Sequence, residues 1–506
     1  MSNPSRLFEK SSIMSTTNLI RPKKKPKRIL SEQVTNKVGA WLTPDQRLKF
    51  LELDMRWYSG LIKYFFETLD DYWFRKETPD LTRMLKKYGE EVRKITLSQK
   101  IGLLDLEFIF QFCPNVTHIL VEEVLTNELF DLVHDRYAKQ LVDVQISAAF
   151  DANLPELAQI PHFPHMHTLR CQRMTINSTL LSELLYFVPE NLRVLNLSKL
   201  SAIESSTIRF ITTNFPNLEF LDLVGEFFME SAILSLDFYS EKLSMLTFGE
   251  VGSLTRACHK FQLKPSNLPN LTELRVRGWE GLAEDGNRMP QLLAGAQYPY
   301  RHLVLYALNM NVDYTFTAQR FSRLTYLSLD SCTLVSADAI TQIFIGLPTL
   351  VKLCLDNAAI SDEHFLQISR RLKNGLLAPC PIRYLSVKDL NSLGDVFLGV
   401  LVNYLDSLQY LDVTDTLPNG TIPSSFLDTL INSQRTLSLM TLRAKAPLFC
   451  YDSIQWIISN SPRLVLLEID DEFQNAELLQ LRDKVRPKLD IRSEIDDYDV
   501  FFSSVS

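Results

Sequence analysis

Three histidines, His162, His165 and His167, lie close together, and their spacing could bring two imidazole nitrogens to one ion. They fall in the turn that leads into an apolar strand pattern, MHTLRC, starting at Met166. No other cluster in the chain has metal-like spacing. Nucleophilic catalysis would need a serine or cysteine beside a general base, and phosphate or dinucleotide chemistry would need a glycine-rich cradle between strand and helix. None of these appears at diagnostic spacing. The cysteines, at 113, 171, 258, 332, 354, 380 and 450, sit singly without a CxxC pair. They read as small buried hydrophobes in a compartment where thiols stay reduced. The expectation is a protein that is not an enzyme and that carries no metal or cofactor.

Composition points the same way. The chain has 506 residues, 46% of them hydrophobic, which is enough to bury a large core, and its formal net charge of -7 gives it no global attraction to a nucleic acid. The N-terminal sequence MSNPSRLFEKSS lacks a secretory pattern, and no apolar run approaches the roughly 20 residues of a membrane span. The expectation is a cytoplasmic or nuclear protein without membrane or nucleic-acid partners. The sequons Asn115-Val-Thr and Asn270-Leu-Thr then carry no meaning.

What the chain has instead is a repeat. The pattern apolar-x-x-apolar-x-apolar returns about every 27 residues, in fifteen copies from VRKITL at Val92 to LVLLEI at Leu464. The register is fixed by what precedes it, since CPNV, FPHM, FPNL, LPNL, LPTL and SPRL each place a proline two residues before the first apolar position. The last two apolar residues of a unit alternate along a short strand and point the same way, and the proline ends the helix before it. Between strands lie stretches of helical period, such as SSTIRFITTNF with Ile208, Ile211 and Phe215 at steps of three and four. One unit cannot bury its own apolar face, whereas a stack can. The pattern resembles the leucine-rich-repeat family. The resemblance implies an α/β solenoid over residues 92–492, with parallel strands inside and helices outside. A regular Asn after the strand is missing, with Cys332 or Asn357 only in places.

The N-terminal part is organised differently. Residues 1–28 are polar and end in a basic run, Lys23, Lys24, Lys25, Lys27 and Arg28. This reads as a disordered arm, and the run is either a signal for a nuclear import receptor or a solvated basic segment. From residue 29 to 75 the pattern is that of compact helices. Ser31 serves as an N-cap, and Thr43-Pro44-Asp45-Gln46 starts a second helix with cap, first-turn proline and reciprocal Gln. That helix carries two apolar stripes, one through Leu48, Leu51, Met55 and Tyr58 and one through Phe50, Leu53, Trp57 and Leu61. So small a unit cannot bury both, so one face docks on the solenoid or on another protein.

This segment resembles the F-box family. Leu30, Val34, Val38 and Leu42 match the first half of its pattern, Asp45, Arg47 and Leu48 the turn, and Leu53-Asp54-Met55-Arg56-Trp57 the end. Ser31 stands where the family has proline, Thr35 where it often has leucine, and Asp54 where it has a small residue or cysteine. The resemblance implies an F-box-like all-α unit that docks the adaptor subunit of a cullin-RING ubiquitin ligase. The docking side chains would be Leu30, Val34, Val38, Leu42, Leu48, Leu53 and Trp57. A protein substrate would then bind the repeats. The other reading is a repeat scaffold or regulator with no link to ubiquitin. Residues 76–91 read as a linker helix and 493–506 as an acidic tail, which either caps the last repeat or is solvated.

In each strand the residue before the middle apolar position points away from the core. In successive late repeats that column contains Tyr326, Lys352, Tyr384 and Tyr410, with Asp330, Asp356, Lys388 and Asp412 on the same face. Tyrosine interleaved with charge has the composition of a protein interface, here expected to bind substrate. The same tyrosines could instead stack on one another as cross-strand pairs. The long loop from Gly281 to Tyr300 is a second candidate surface.

Overall fold

Each repeat begins at a tight turn. Proline at the second turn position supplies the required φ, and the amide two residues beyond it closes back: Met166 N to Phe163 O at 3.1 Å, Leu218 N to Phe215 O at 3.2 Å, Leu350 N to Leu347 O at 3.2 Å and Leu464 N to Ser461 O at 3.1 Å. Leu324 N closes on Phe321 O at 3.2 Å in the same way without a proline. The turn belongs to the repeat, and proline only favours it. These details come from a computed structural model that describes residues 67–69, 78–97, 103–122, 127–146, 163–172, 178–186, 188–198, 200, 205–224, 240–249, 267–278, 297–308, 316–333, 335–374, 380–390, 392–404, 407–415, 438–443, 451–469 and 476–492.

Out of each turn comes a short strand. The described strands are β1 (Thr68–Leu69), β2 (Lys94–Leu97), β3 (His118–Val121), β4 (Asp143–Ile146), β5 (Thr168–Cys171), β6 (Val194–Asn196), β7 (Phe220–Val224), β8 (Met245–Gly249) and β9 (Glu273–Arg277). They continue as β10 (His302–Tyr306), β11 (Tyr326–Ser328), β12 (Lys352–Cys354), β13 (Tyr384–Ser386), β14 (Tyr410–Asp412), β15 (Thr441–Arg443), β16 (Leu466–Glu468) and β17 (Asp490–Arg492). Each pairs in parallel with the next, so one 17-stranded sheet runs in chain order. The carbonyl just before each strand accepts two amides from the following repeat, as when Thr325 O takes Val351 N and Lys352 N, each at 2.9 Å. The middle apolar residues align from Leu69 and Ile95 through Leu327, Leu353 and Leu385 to Leu467 and Ile491, and all but the last are buried.

On the buried side of the sheet lie the helices. Ser205–Asn214 buries Ile208 and Ile211 at the expected steps, with Phe215 just beyond its end. In later repeats Phe344, Phe365 and Phe397 pack edge to face, with centroids 5.8 and 5.0 Å apart, linking three repeats beneath the sheet. Asp362 ties two repeats by capping the next repeat's helix Asp395–Tyr404. Its carboxylate accepts from Gly394 N at 2.7 Å, Phe397 N at 3.1 Å and Val396 N at 3.2 Å. Cys113, Cys171, Cys332, Cys354 and Cys380 are buried and free, and burial pushes the Cys113, Cys171 and Cys332 thiols up to about 12. Cys258 and Cys450 lie outside the described residues. No helix among the described residues is long and apolar enough to cross a membrane.

Three sequence expectations change. The array begins at Thr68 rather than Val92, because Thr68 and Leu69 pair with Lys94 and Ile95. This strand falls in the stretch 29–75 read as helical. The stretch read as a linker, 76–91, is the connection inside that first repeat, formed by Thr78–Tyr88 and Gly89–Glu91. The strand escapes the repeat pattern because Asp71 stands where the third apolar residue belongs. Finally, the turns after the strands, left open by the lack of a regular Asn, form in several repeats. Ala307, Ser331, Asn357, Asp389 and Asp415 all take a left-handed φ of 51 to 55° at the same position after their strands. The position needs φ > 0, which Asn and Asp tolerate best, and the amides of Ser331 and Asn357 use it to reach Asp356 O at 2.8 Å and Lys388 O at 2.9 Å.

The chain divides into two units, Met1–Glu67 and Thr68–Ser506, and the repeats belong to the second. The basic arm, the residues read as adaptor-binding (Leu30, Val34, Val38, Leu42, Leu48, Leu53 and Trp57) and the tail 493–506 lie outside the described residues.

Candidate functional site

The sheet face opposite the helices carries the column read from the sequence, and the strand register brings all four of its residues together. Tyr326 is opposite Lys352, Lys352 opposite Tyr384, and Tyr384 opposite Tyr410. Neighbouring strands are about 4.8 Å apart, close enough for aromatic faces to meet. Tyr384 and Tyr410 stack with centroids 4.0 Å apart and planes 3° from parallel. The Lys352 ammonium lies 5.0 Å from the Tyr326 centroid and 4.2 Å from that of Tyr384. Of the two readings left open, cross-strand stacking is what the geometry contains. Tyr326, Lys352 and Tyr384 are half-buried, and Tyr410 is buried at 7% exposure. The row therefore offers ring edges and hydroxyls, because Lys352 covers the facing sides of Tyr326 and Tyr384 and the Tyr410 ring covers the other side of Tyr384.

The row extends in both directions beyond the four residues. On the β10 side the edge of His302 meets Tyr326 at 5.9 Å, and His302 Nδ1 lies 3.3 Å from Glu273 Oε2. Burial alone would raise the Glu273 carboxyl, but His302 and Arg275, whose Nε donates to it at 2.6 Å, hold it below the usual range. On the β14 side the Tyr410 hydroxyl donates to Asp412 Oδ2 at 3.2 Å. Asp412 is fully buried and also lies 3.3 Å from both Lys388 Nζ and Arg443 Nη1. Arg443 in turn donates from Nε to Glu468 Oε2 at 2.6 Å. Lys388, Asp412, Arg443 and Glu468 thus form a run of alternating charge across four successive repeats.

Burial shifts the ionisable groups in and beside the row. It pushes the Lys352 ammonium down, with Asp356 among the groups opposing the shift. It pushes the Asp356 carboxyl up, although the Ser386 hydroxyl at 2.6 Å and the Lys388 amide at 3.0 Å support the anion. The hydroxyls of Tyr326, Tyr384 and Tyr410 are also raised by burial, so all three remain neutral donors at physiological pH.

Of the charged residues read onto this face, Asp330, Asp356 and Lys388 share one row: Ser331 N bonds to Asp356 O, and Asn357 N to Lys388 O. Asp412 does not share it. It is opposite Ser386, two residues earlier in its repeat, where it is covered. His302, Arg443 and Glu468 were missed, although His302 occupies the same column as Tyr326, in YRHLVL. In the long loop, Tyr298 and Tyr300 are buried and stacked at 5.3 Å, so this end of the loop is core rather than surface. Residues 279–296 lie outside the described ones. So does His162, and no group of three or more His, Cys, Asp or Glu among the described residues is placed to hold a metal.

No protein-family model matches the chain, and no curated protein matches it. Among solved structures it is similar to a chain in the crystal structure of the Rad7 and Elc1 complex in yeast. The TM-score is 0.42 and the identity 15%, over 81% of this chain and 92% of that one.

Proposed function

We propose that the chain is a non-enzymatic receptor subunit of a cullin-RING ubiquitin ligase. Residues 29–75 dock the adaptor through Leu30, Val34, Val38, Leu42, Leu48, Leu53 and Trp57. The open sheet face over β10 to β14 binds the protein to be modified. The observation that carries the receptor half is the continuous row from His302 through Tyr326, Lys352 and Tyr384 to Tyr410. An aromatic and charged row on an open sheet face, in register over five strands, suits recognition by surface complementarity. The adaptor half rests on the sequence pattern that ends in Leu53-Asp54-Met55-Arg56-Trp57. Trp57 is its main anchor, because buried aromatics dominate interface energies.

Copurification tests both halves separately. Trp57→Ala is expected to weaken adaptor binding by at least about tenfold, the usual cost of losing an interface anchor, and to leave partners of the repeats bound. Replacing Tyr326, Tyr384 and Tyr410 together by Ala is expected to do the reverse. If the wild-type protein holds no cullin adaptor, the chain is a repeat scaffold without a ligase role. The stacking of Tyr384 on Tyr410 favours a structural contribution of the column under either reading, so thermal unfolding of the triple variant must accompany the test.

A further inference from the structure

We propose that Tyr326 and Tyr384 form a cation clamp, which Lys352 fills in the free protein and which takes an ammonium-bearing side chain of the recruited protein when Lys352 swings out. This inference rests on the open face being the receptor surface.

The clamp follows from the register. Tyr326 and Tyr384 flank Lys352 on adjacent strands. The gap between their rings suits an ammonium and its carbon substituents, and Lys352 Nζ already occupies it at 5.0 and 4.2 Å from the two centroids.

The walls are held without help from the lysine. Tyr326 is backed by the His302 ring, with the two rings edge to face and their centroids 5.9 Å apart. Tyr384 is backed by the parallel ring of Tyr410 at 4.0 Å. Nearby, the Asp356 carboxylate acts electrostatically on Lys352 and favours positive charge in the gap. Lys352 itself is half-buried, and its four-carbon stem lets the ammonium turn toward water. A preformed slot with an exchangeable internal cation results. Methylated ammonium groups fit it best, since their polarisable methyls contact both rings.

The test uses the full chain and tetramethylammonium as probe, with binding followed by saturation-transfer NMR. Lys352→Ala, or Lys352→Ser should the first variant unfold, is expected to bind the probe about tenfold more tightly than the wild type. Lys352→Met, which fills the gap without charge, and the double change Lys352→Ala with Tyr384→Leu are expected to bind no better than the wild type. Equal binding by wild type and Lys352→Ala would overturn the clamp, as would binding that survives loss of Tyr384. The receptor reading fails differently, through partner capture that ignores the tyrosines, so the two failures can be told apart.

Discussion

Replacing Arg443 by leucine is expected to destabilise the last repeats by about 3–5 kcal/mol, the cost of removing one member of a buried ion pair. Arg443 is 7% exposed and lies between Asp412, at 0%, and Glu468, at 2%. The guanidinium reaches Glu468 at 2.6 Å and Asp412 at 3.3 Å. Without it two carboxylates stay buried on the two strands that flank β15. Asp412 keeps Lys388 and the Tyr410 hydroxyl, which limits its share of the loss. Because each repeat touches mainly its neighbours, the damage should be local. Hydrogen exchange should lose protection in β15 to β17 and keep it in β2 to β8. Uniform loss along the array, or none, would contradict this account of the charged run.

Gly249→Ala should have a comparable effect at the middle of the array. Gly249 ends β8 with φ +146°, a conformation that residues with a Cβ rarely adopt. A Cβ there would overlap the carbonyl oxygen of Arg277 on the next strand and lie 2.6 Å from its nitrogen. Backbone strain and steric overlap together are expected to cost about 3–5 kcal/mol. The strain falls on the seam between β8 and β9, so denaturant unfolding should change from one transition to two as the halves uncouple. Gly399→Ala is the control. It lies inside the helix Asp395–Tyr404 with nothing within 4 Å of the added carbon, and should stabilise by about 0.5–1 kcal/mol.

The repeat was legible because most strands turn two apolar residues inward at alternate positions and a proline marks the turn before some of them; where the proline is missing the register can slip, and Leu442 rather than Met440 is the middle residue of β15. The ends were not legible. β1 has only Thr68 and Leu69 in the ladder, and β17 has Lys488 where the first apolar residue should be, because terminal strands have a neighbour on one side only and need less of the pattern. The column Tyr326, Lys352, Tyr384 and Tyr410 was readable from strand alternation alone. Its burial was not, since that depends on ring faces meeting across strands. The misplacement of Asp412 has a similar cause: open-face residues alternate every second position, and alternation does not say which row a residue joins. Arg443 and Glu468 are visible as buried only once both are seen beside Asp412.

The central claim is that recognition takes place on the open sheet face. Photo-crosslinking tests it most directly, with a photoreactive residue placed at His302, exposed and in register with Tyr326, or at Tyr186, 73% exposed at the end of helix Ser178–Tyr186. The account predicts that the recruited protein forms adducts with position 302 and not with position 186. Adducts at 186 with none at 302 would place recognition on the helices and contradict it.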